Sequence, residues 1–133
     1  MNEIIENMNL EHKLLLVATY VRMAMVHQNT TEYGLDLCGT CIEASDMIVD
    51  MLYDIGIKAE TVEGWCVYED DSSCSDRCYD EHTWVLCEGY YVDVTADQFN
   101  NCMFNKLQEI YVSKEKPACM VCEEPDYTWL EER

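Results

Sequence analysis

His82-Thr83-Trp84-Val85-Leu86-Cys87-Glu88-Gly89-Tyr90-Tyr91-Val92-Asp93-Val94-Thr95 is the stretch that decides the fold. Two runs rich in β-branched and aromatic residues flank Glu88-Gly89, a short turn signal, and this predicts a β-hairpin. With those two residues as the turn, position 84 faces 93 and position 82 faces 95. His82 and Asp93 are then diagonal neighbours on one face. A three-residue loop would put them on opposite faces, so the register carries the reading. A carboxylate beside a histidine holds one imidazole nitrogen and leaves the other aimed at a third group.

That third group is sought upstream. Thr40-Cys41-Ile42-Glu43 fits the capping box that opens a helix, and Ala44, Ile48, Met51 and Leu52 continue as its apolar face until Gly56 closes it. Cys41 is the first residue inside this helix, where unsatisfied amides and the helix dipole favour a thiolate. An earlier helix spans residues 9–28, with Leu10, Leu14, Val17, Val21 and Met25 at helical spacing. Residues 31–39 read as loop. Residues 57–68 read as two strands, or one bent strand, interrupted at Gly64.

Residues 69–81 form an acidic, turn-rich insertion expected on the surface. Leu107 to Val112 offers a further strand, and the tail 117–133 has no assigned structure. Together these predict an α+β domain, residues 1–133, in which the helix bearing a nucleophile packs on an antiparallel β-sheet.

Gly39-Thr40-Cys41-Ile42-Glu43-Ala44-Ser45, Gly56-Ile57 and Val62-Glu63-Gly64 resemble the nucleophile helix and following strand of transglutaminase-like, papain-like cysteine enzymes. His82-Thr83-Trp84-Val85 and Tyr91-Val92-Asp93-Val94-Thr95 resemble that family's histidine and aspartate strands, in the same order. The resemblance covers residues 39–98, with Val94 where the family often has proline. It implies a papain-like/transglutaminase-like core and a catalytic triad of Cys41, His82 and Asp93. It also implies acyl transfer, with a cysteine protease or glutamine deamidase as the expected type and a protein or peptide amide as the substrate. The amide of Cys41 is one candidate oxyanion donor, with Gln28, Asn29 or Trp65 as side-chain candidates, and Gln98 is a possible assistant.

Composition bounds this reading. A chain of 133 residues, 49% hydrophobic, buries one real core, and no apolar run approaches the roughly 18 residues of a membrane span. The formal charge of −19 opposes nucleic-acid binding and suits a basic partner or substrate. The acidic, polar start Met1-Asn2-Glu3 lacks a secretory pattern, so a cytoplasmic location is expected and the nine cysteines are read as thiols. No cofactor is expected.

Two rival readings stand beside the enzyme. Cys38-x-x-Cys41 and Cys119-x-x-Cys122 together make a four-thiolate set of the kind that holds a structural zinc. An acidic inhibitor or mimic that binds a basic protein would need neither triad nor metal. Cys66, Cys87 and Cys102 read as core or strand residues, His12 and His27 as surface, and Tyr90, Tyr91 and Trp84 as an aromatic stripe.

Overall fold

The computed structural model describes residues 3–69 and 79–125. A single turn, α1 (Glu3–Glu6), precedes the long helix α2 (Leu10–Asn29), whose start is capped by the Asn9 side chain accepting the His12 amide at 2.9 Å. Leu14, Val17, Ala18, Val21 and Met25 form its buried stripe. A small hairpin, β1 (Thr30–Thr31) and β2 (Gly34–Leu35), occupies part of what the sequence reads as loop. Helix α3 (Cys41–Asp54) follows and ends in a Schellman motif. Gly56 adopts φ 82°, its amide donates to Tyr53, and the Ile57 amide donates to Leu52 at 2.8 Å.

Five strands then build one antiparallel sheet in the order β6-β5-β4-β3-β7. They are β3 (Glu60–Val67), β4 (Tyr79–Cys87), β5 (Tyr90–Asp93), β6 (Tyr111–Ser113) and β7 (Met120–Val121). A 3-10 helix (Ala96–Cys102) leads out of β5. The α+β class with an antiparallel sheet is therefore the observed one. The turn between β4 and β5 has positive φ at both Glu88 (48°) and Gly89 (86°), the signature of a type I′ hairpin, and Cys87 pairs with Tyr90. This is the two-residue register.

The sheet separates two apolar clusters. On one face Val85, Cys87 and Val92 meet the inner sides of α2 and α3, chiefly Leu14, Val21, Ile48 and Leu52. On the other, Cys66, Trp84, Phe99, Met103 and Met120 pack under the 3-10 helix. The period of two along β4 sends Val85 and Cys87 to the first face and His82 and Trp84 to the second.

Several expectations need correction. Residues 57–68 are not broken at Gly64: β3 runs through it, paired opposite His82. Glycine is there because the Trp84 ring and the Val121 carbonyl lie over it; a Cβ would come within 2.5 Å of both. Tyr79 to Glu81 are strand, whereas the rest of the acidic insertion, residues 70–78, lies outside the described residues. Of the expected strand 107–112, only Tyr111 and Val112 pair. The tail contributes β7, which pairs beside β3 at Trp65 and Cys66, and residues 126–133 lie outside the described residues. Among the described residues no helix is long and apolar enough to cross a membrane.

Candidate active site

β4 pairs with β3 from Tyr79 to Leu86 but with β5 only from Val85 to Cys87, because β5 ends at Asp93 and the chain turns into the 3-10 helix. The edge of β4 beside His82 and Thr83 is thus left without a strand partner on that side, and the start of α3 fills the gap. Ser45, one turn into α3, donates from its hydroxyl to the Thr83 carbonyl at 3.3 Å. Cys41, on the same face of the helix four residues earlier, brings its half-buried sulfur to the His82 ring and the Thr83 amide.

The imidazole of His82 is fully buried. Its Nε2 lies 2.6 Å from Asp93 Oδ2, and the other oxygen, Oδ1, accepts the Thr95 amide at 3.0 Å. Both carboxylate oxygens are therefore held, which fixes the plane in which Nε2–H must lie. Phe99 meets the ring edge-on at 5.0 Å and Trp84 flanks it at 6.0 Å. The ring is confined by apolar walls and steered by one carboxylate.

Nδ1, the nitrogen not bonded to Asp93, has no hydrogen bond of normal geometry. It is close enough to the thiol for each group to shift the other's ionisation. Such near contacts are common in cysteine–histidine pairs without substrate and tighten during reaction.

The electrostatics follow from this packing. Burial of the Cys41 sulfur opposes ionisation, but the hydrogen-bonding reach and charge of His82, with the Thr83 amide and hydroxyl, outweigh it and hold the thiol below its ordinary range. For His82, burial again opposes the charged form. The charge and hydrogen bond of Asp93, and then the Cys41 sulfur, overcome it and push the imidazole up to about 10. The two shifts favour the same arrangement of charge, a thiolate beside an imidazolium.

The helix start differs from the sequence reading. Thr40 does not cap α3: with ψ near 0° its hydroxyl turns back and donates to the Leu37 carbonyl at 2.6 Å. The capping box is not formed, and Thr40 instead closes the turn that delivers the chain to Cys41. With no side-chain cap at the helix start, the first-turn amides of α3 receive no competing acceptor from Thr40.

The other candidates have surroundings of their own. Gln28 is exposed, and the Asn29 amide group donates to Met25 within its own helix. The Gln98 side chain donates to the Thr95 carbonyl at 2.9 Å, so it braces the turn after Asp93. Trp84 and Tyr91 line a small apolar pocket that reaches Asp93, with Tyr111, Pro117 and Met120. Tyr90 leaves the expected aromatic stripe because the strand period turns it to the helix side, where it lies under Lys114.

The paired Cys-x-x-Cys motifs are not brought together. Cys41 stands by His82, Cys38 and Cys122 are exposed, and Cys119 shares a thiol contact with buried Cys66, which donates to it. That contact pushes Cys66 up and Cys119 down. Among the described residues no three His, Cys, Asp or Glu side chains converge as a metal site. The reading of all nine cysteines as thiols fails at Cys102, which is disulfide-bonded.

Sequence reasoning missed Phe99, Thr95 and the bidentate pair of Arg22 with Asp97. The first two sit just past the aspartate strand, where the sequence Thr95-Ala96-Asp97 carries an N-terminal helix signal that locates the turn. Arg22 gave no signal beyond one charge between apolar neighbours. Compared with family models, with curated proteins and with solved structures, the chain matches none.

Proposed function

We propose that this protein is a thiol hydrolase of the papain-like/transglutaminase-like kind, acting on a peptide or side-chain amide of a protein through Cys41, His82 and Asp93. The observation that carries the reading is the buried His82 ring, bonded through Nε2 to Asp93 at 2.6 Å and flanked by a thiol at the first position of a helix. A satisfied core histidine needs the carboxylate but not the thiol, and a buried structural cysteine needs neither.

The chemistry is a two-step acyl transfer. The Cys41 thiolate attacks the amide carbon, and the resulting oxyanion is met by backbone amides at the start of α3, that of Cys41 first. The C–N bond breaks as the imidazolium of His82 gives its proton to the leaving nitrogen, which departs as amine or ammonia. A thioester on Cys41 remains. Neutral His82 then takes a proton from water, the hydroxide carbon–oxygen bond forms, and the carboxylic acid leaves as the thiolate is restored. Asp93 keeps the ring oriented and stabilises its charged form throughout. A net charge of −19 favours a basic protein as substrate.

The test is alkylation by iodoacetamide at neutral pH, mapped residue by residue. Cys41 is expected to react much faster than the other free thiols, with a pH profile displaced below that of an ordinary thiol. His82→Ala is expected to abolish both the selectivity and the displacement. An ordinary profile at Cys41 in the wild type, unchanged in His82→Ala, overturns the reading.

A further inference from the structure

Arg22 of α2 is buried, a costly place for a charge unless every donor group is well used. Its Nη1 donates to Asp97 Oδ1 at 2.6 Å and to the Val94 carbonyl at 2.9 Å, and its Nη2 donates to Asp97 Oδ2 at 2.9 Å. The bidentate fork fixes the guanidinium plane, and the third bond aims it at the backbone next to Asp93.

The place it grips lies just past the end of β5. Pairing of β5 with β6 ends at Asp93 opposite Tyr111, and the chain then leaves the sheet. From Asp93 to Asp97 it forms an arch held by three contacts: the Thr95 amide on Asp93 Oδ1, and the backbone amide and side chain of Gln98 on the Thr95 carbonyl, at 3.2 and 2.9 Å. Arg22 holds this arch from outside at Val94 and at Asp97. If Val94 and Asp97 move, Thr95 moves, and with it the donor that sets the rotation of the Asp93 carboxylate. A 2.6 Å bond to His82 tolerates little rotation, since hydrogen bonds weaken steeply with angle.

We propose that Arg22 and Asp97 are a positioning pair: by holding the Val94 carbonyl and the arch that follows, they set the direction of the Asp93 carboxylate and so the charge state of His82. This rests on the triad reading above and adds α2, an element outside the 39–98 region, to the machinery. Neither residue touches the thiol, and Arg22 reaches His82 only through Val94, Thr95 and Asp93.

A plain staple between α2 and the sheet would affect stability alone, so the test reads the site as well as the fold. Three variants are compared with wild type: Arg22→Lys, Asp97→Asn, and the double variant Arg22→Met with Asp97→Ala, which leaves no unpaired buried charge. Thermal unfolding reports the fold. The pH profile of Cys41 alkylation and the low-field proton signal of the His82 Nε2–H, identified by its loss in Asp93→Ala, report the site. In variants that remain folded, alkylation at neutral pH is expected to fall severalfold, the profile to move toward that of an ordinary thiol, and the low-field signal to shift or vanish. Arg22→Lys, which keeps the charge without the fork, is expected to lose least.

A lower melting temperature with wild-type profile and signal overturns the proposal, and so does unfolding of all three variants, which assigns the pair a purely structural role. Failure of the triad reading looks different: the wild type itself then has an ordinary Cys41 profile, insensitive to His82→Ala.

Discussion

A histidine at the centre of a sheet is a liability unless its charge has a purpose. His82 is buried, yet its imidazole is raised from an ordinary 6.5 to about 10, chiefly because Asp93 overcomes the penalty of burial. A folded-state value above the unfolded one means that protonation stabilises the fold. The contribution is complete below 6.5 and is lost as pH rises through about 10. Cys41 works in the opposite sense, because its lowered value contributes stability above the ordinary thiol range that is lost as pH falls. To isolate the histidine, unfolding free energies are best compared for Cys41→Ala and for Cys41→Ala with His82→Gln. The first is expected to lose stability as pH rises from 6.5, with an upper limit below the wild-type value of about 10 because Cys41 no longer helps to raise the imidazole, and the second to lack that component. Identical pH profiles for the two would mean that the imidazole is neutral in the fold. At this scale the sequence was informative where polar groups interrupt apolar strands: His82 and Asp93 stand out because their neighbours are Thr83, Trp84, Val92 and Val94. Arg22 was illegible for the converse reason. On an exposed-looking helix a lone arginine is read as solvent-facing, and only the path of the chain after β5 gives it a buried partner.

The hairpin of β4 and β5 is the element on which the site depends, and its turn is not chemically ideal. Glu88 holds φ at 48°, a left-handed conformation that its side chain disfavours and that asparagine tolerates well. Glu88→Asn is expected to stabilise the protein by on the order of 1 kcal/mol, raising the melting temperature by a few degrees without changing the rate of Cys41 alkylation. A lower melting temperature, or a changed rate, would mean that Glu88 has a role beyond the turn. The sequence reading takes Glu88-Gly89 as a two-residue turn against the alternative of a three-residue loop, and the pairing of Cys87 with Tyr90 is that of the two-residue turn. The start of α3 was misread at the level of the cap: Thr-x-x-Glu has the right letters, but Thr40 spends its hydroxyl on Leu37. Gly64 was misread as a break because glycine's freedom was weighed without the Trp84 ring that needs the space.

For the whole molecule the dominant fact is charge. At −19 the protein repels anions and attracts cations over about 10 Å at 0.1 M salt, and less as salt rises. A cationic alkylating reagent such as bromoethylamine is therefore expected to modify Cys41 more slowly as sodium chloride is added, whereas iodoacetamide, which is neutral, is expected to keep its rate. No salt dependence for either would remove the argument for a basic substrate. The α+β class was legible from the succession of helical and alternating periods, but the order β6-β5-β4-β3-β7 was not, because β6 and β7 are too short to carry a pattern. Those two short strands are the outer edges of the sheet. The longest strands, β3 and β4, pair with each other along almost their full length; β5 flanks β4 only from Val85 to Cys87, and the start of α3 stands beside it at Thr83. Among the described residues the first half of β3 has no strand on its β7 side, and Glu60 and Glu63 stand in solvent there, since β7 takes only Trp65 and Cys66. Ribbon-to-ribbon growth into fibrils requires a long, flat, uncharged border, and the two glutamates break up this stretch of β3. Pairing with β7 takes Trp65 and Cys66 out of that border, so the stretch of β3 left beside it is the one that carries exposed charge.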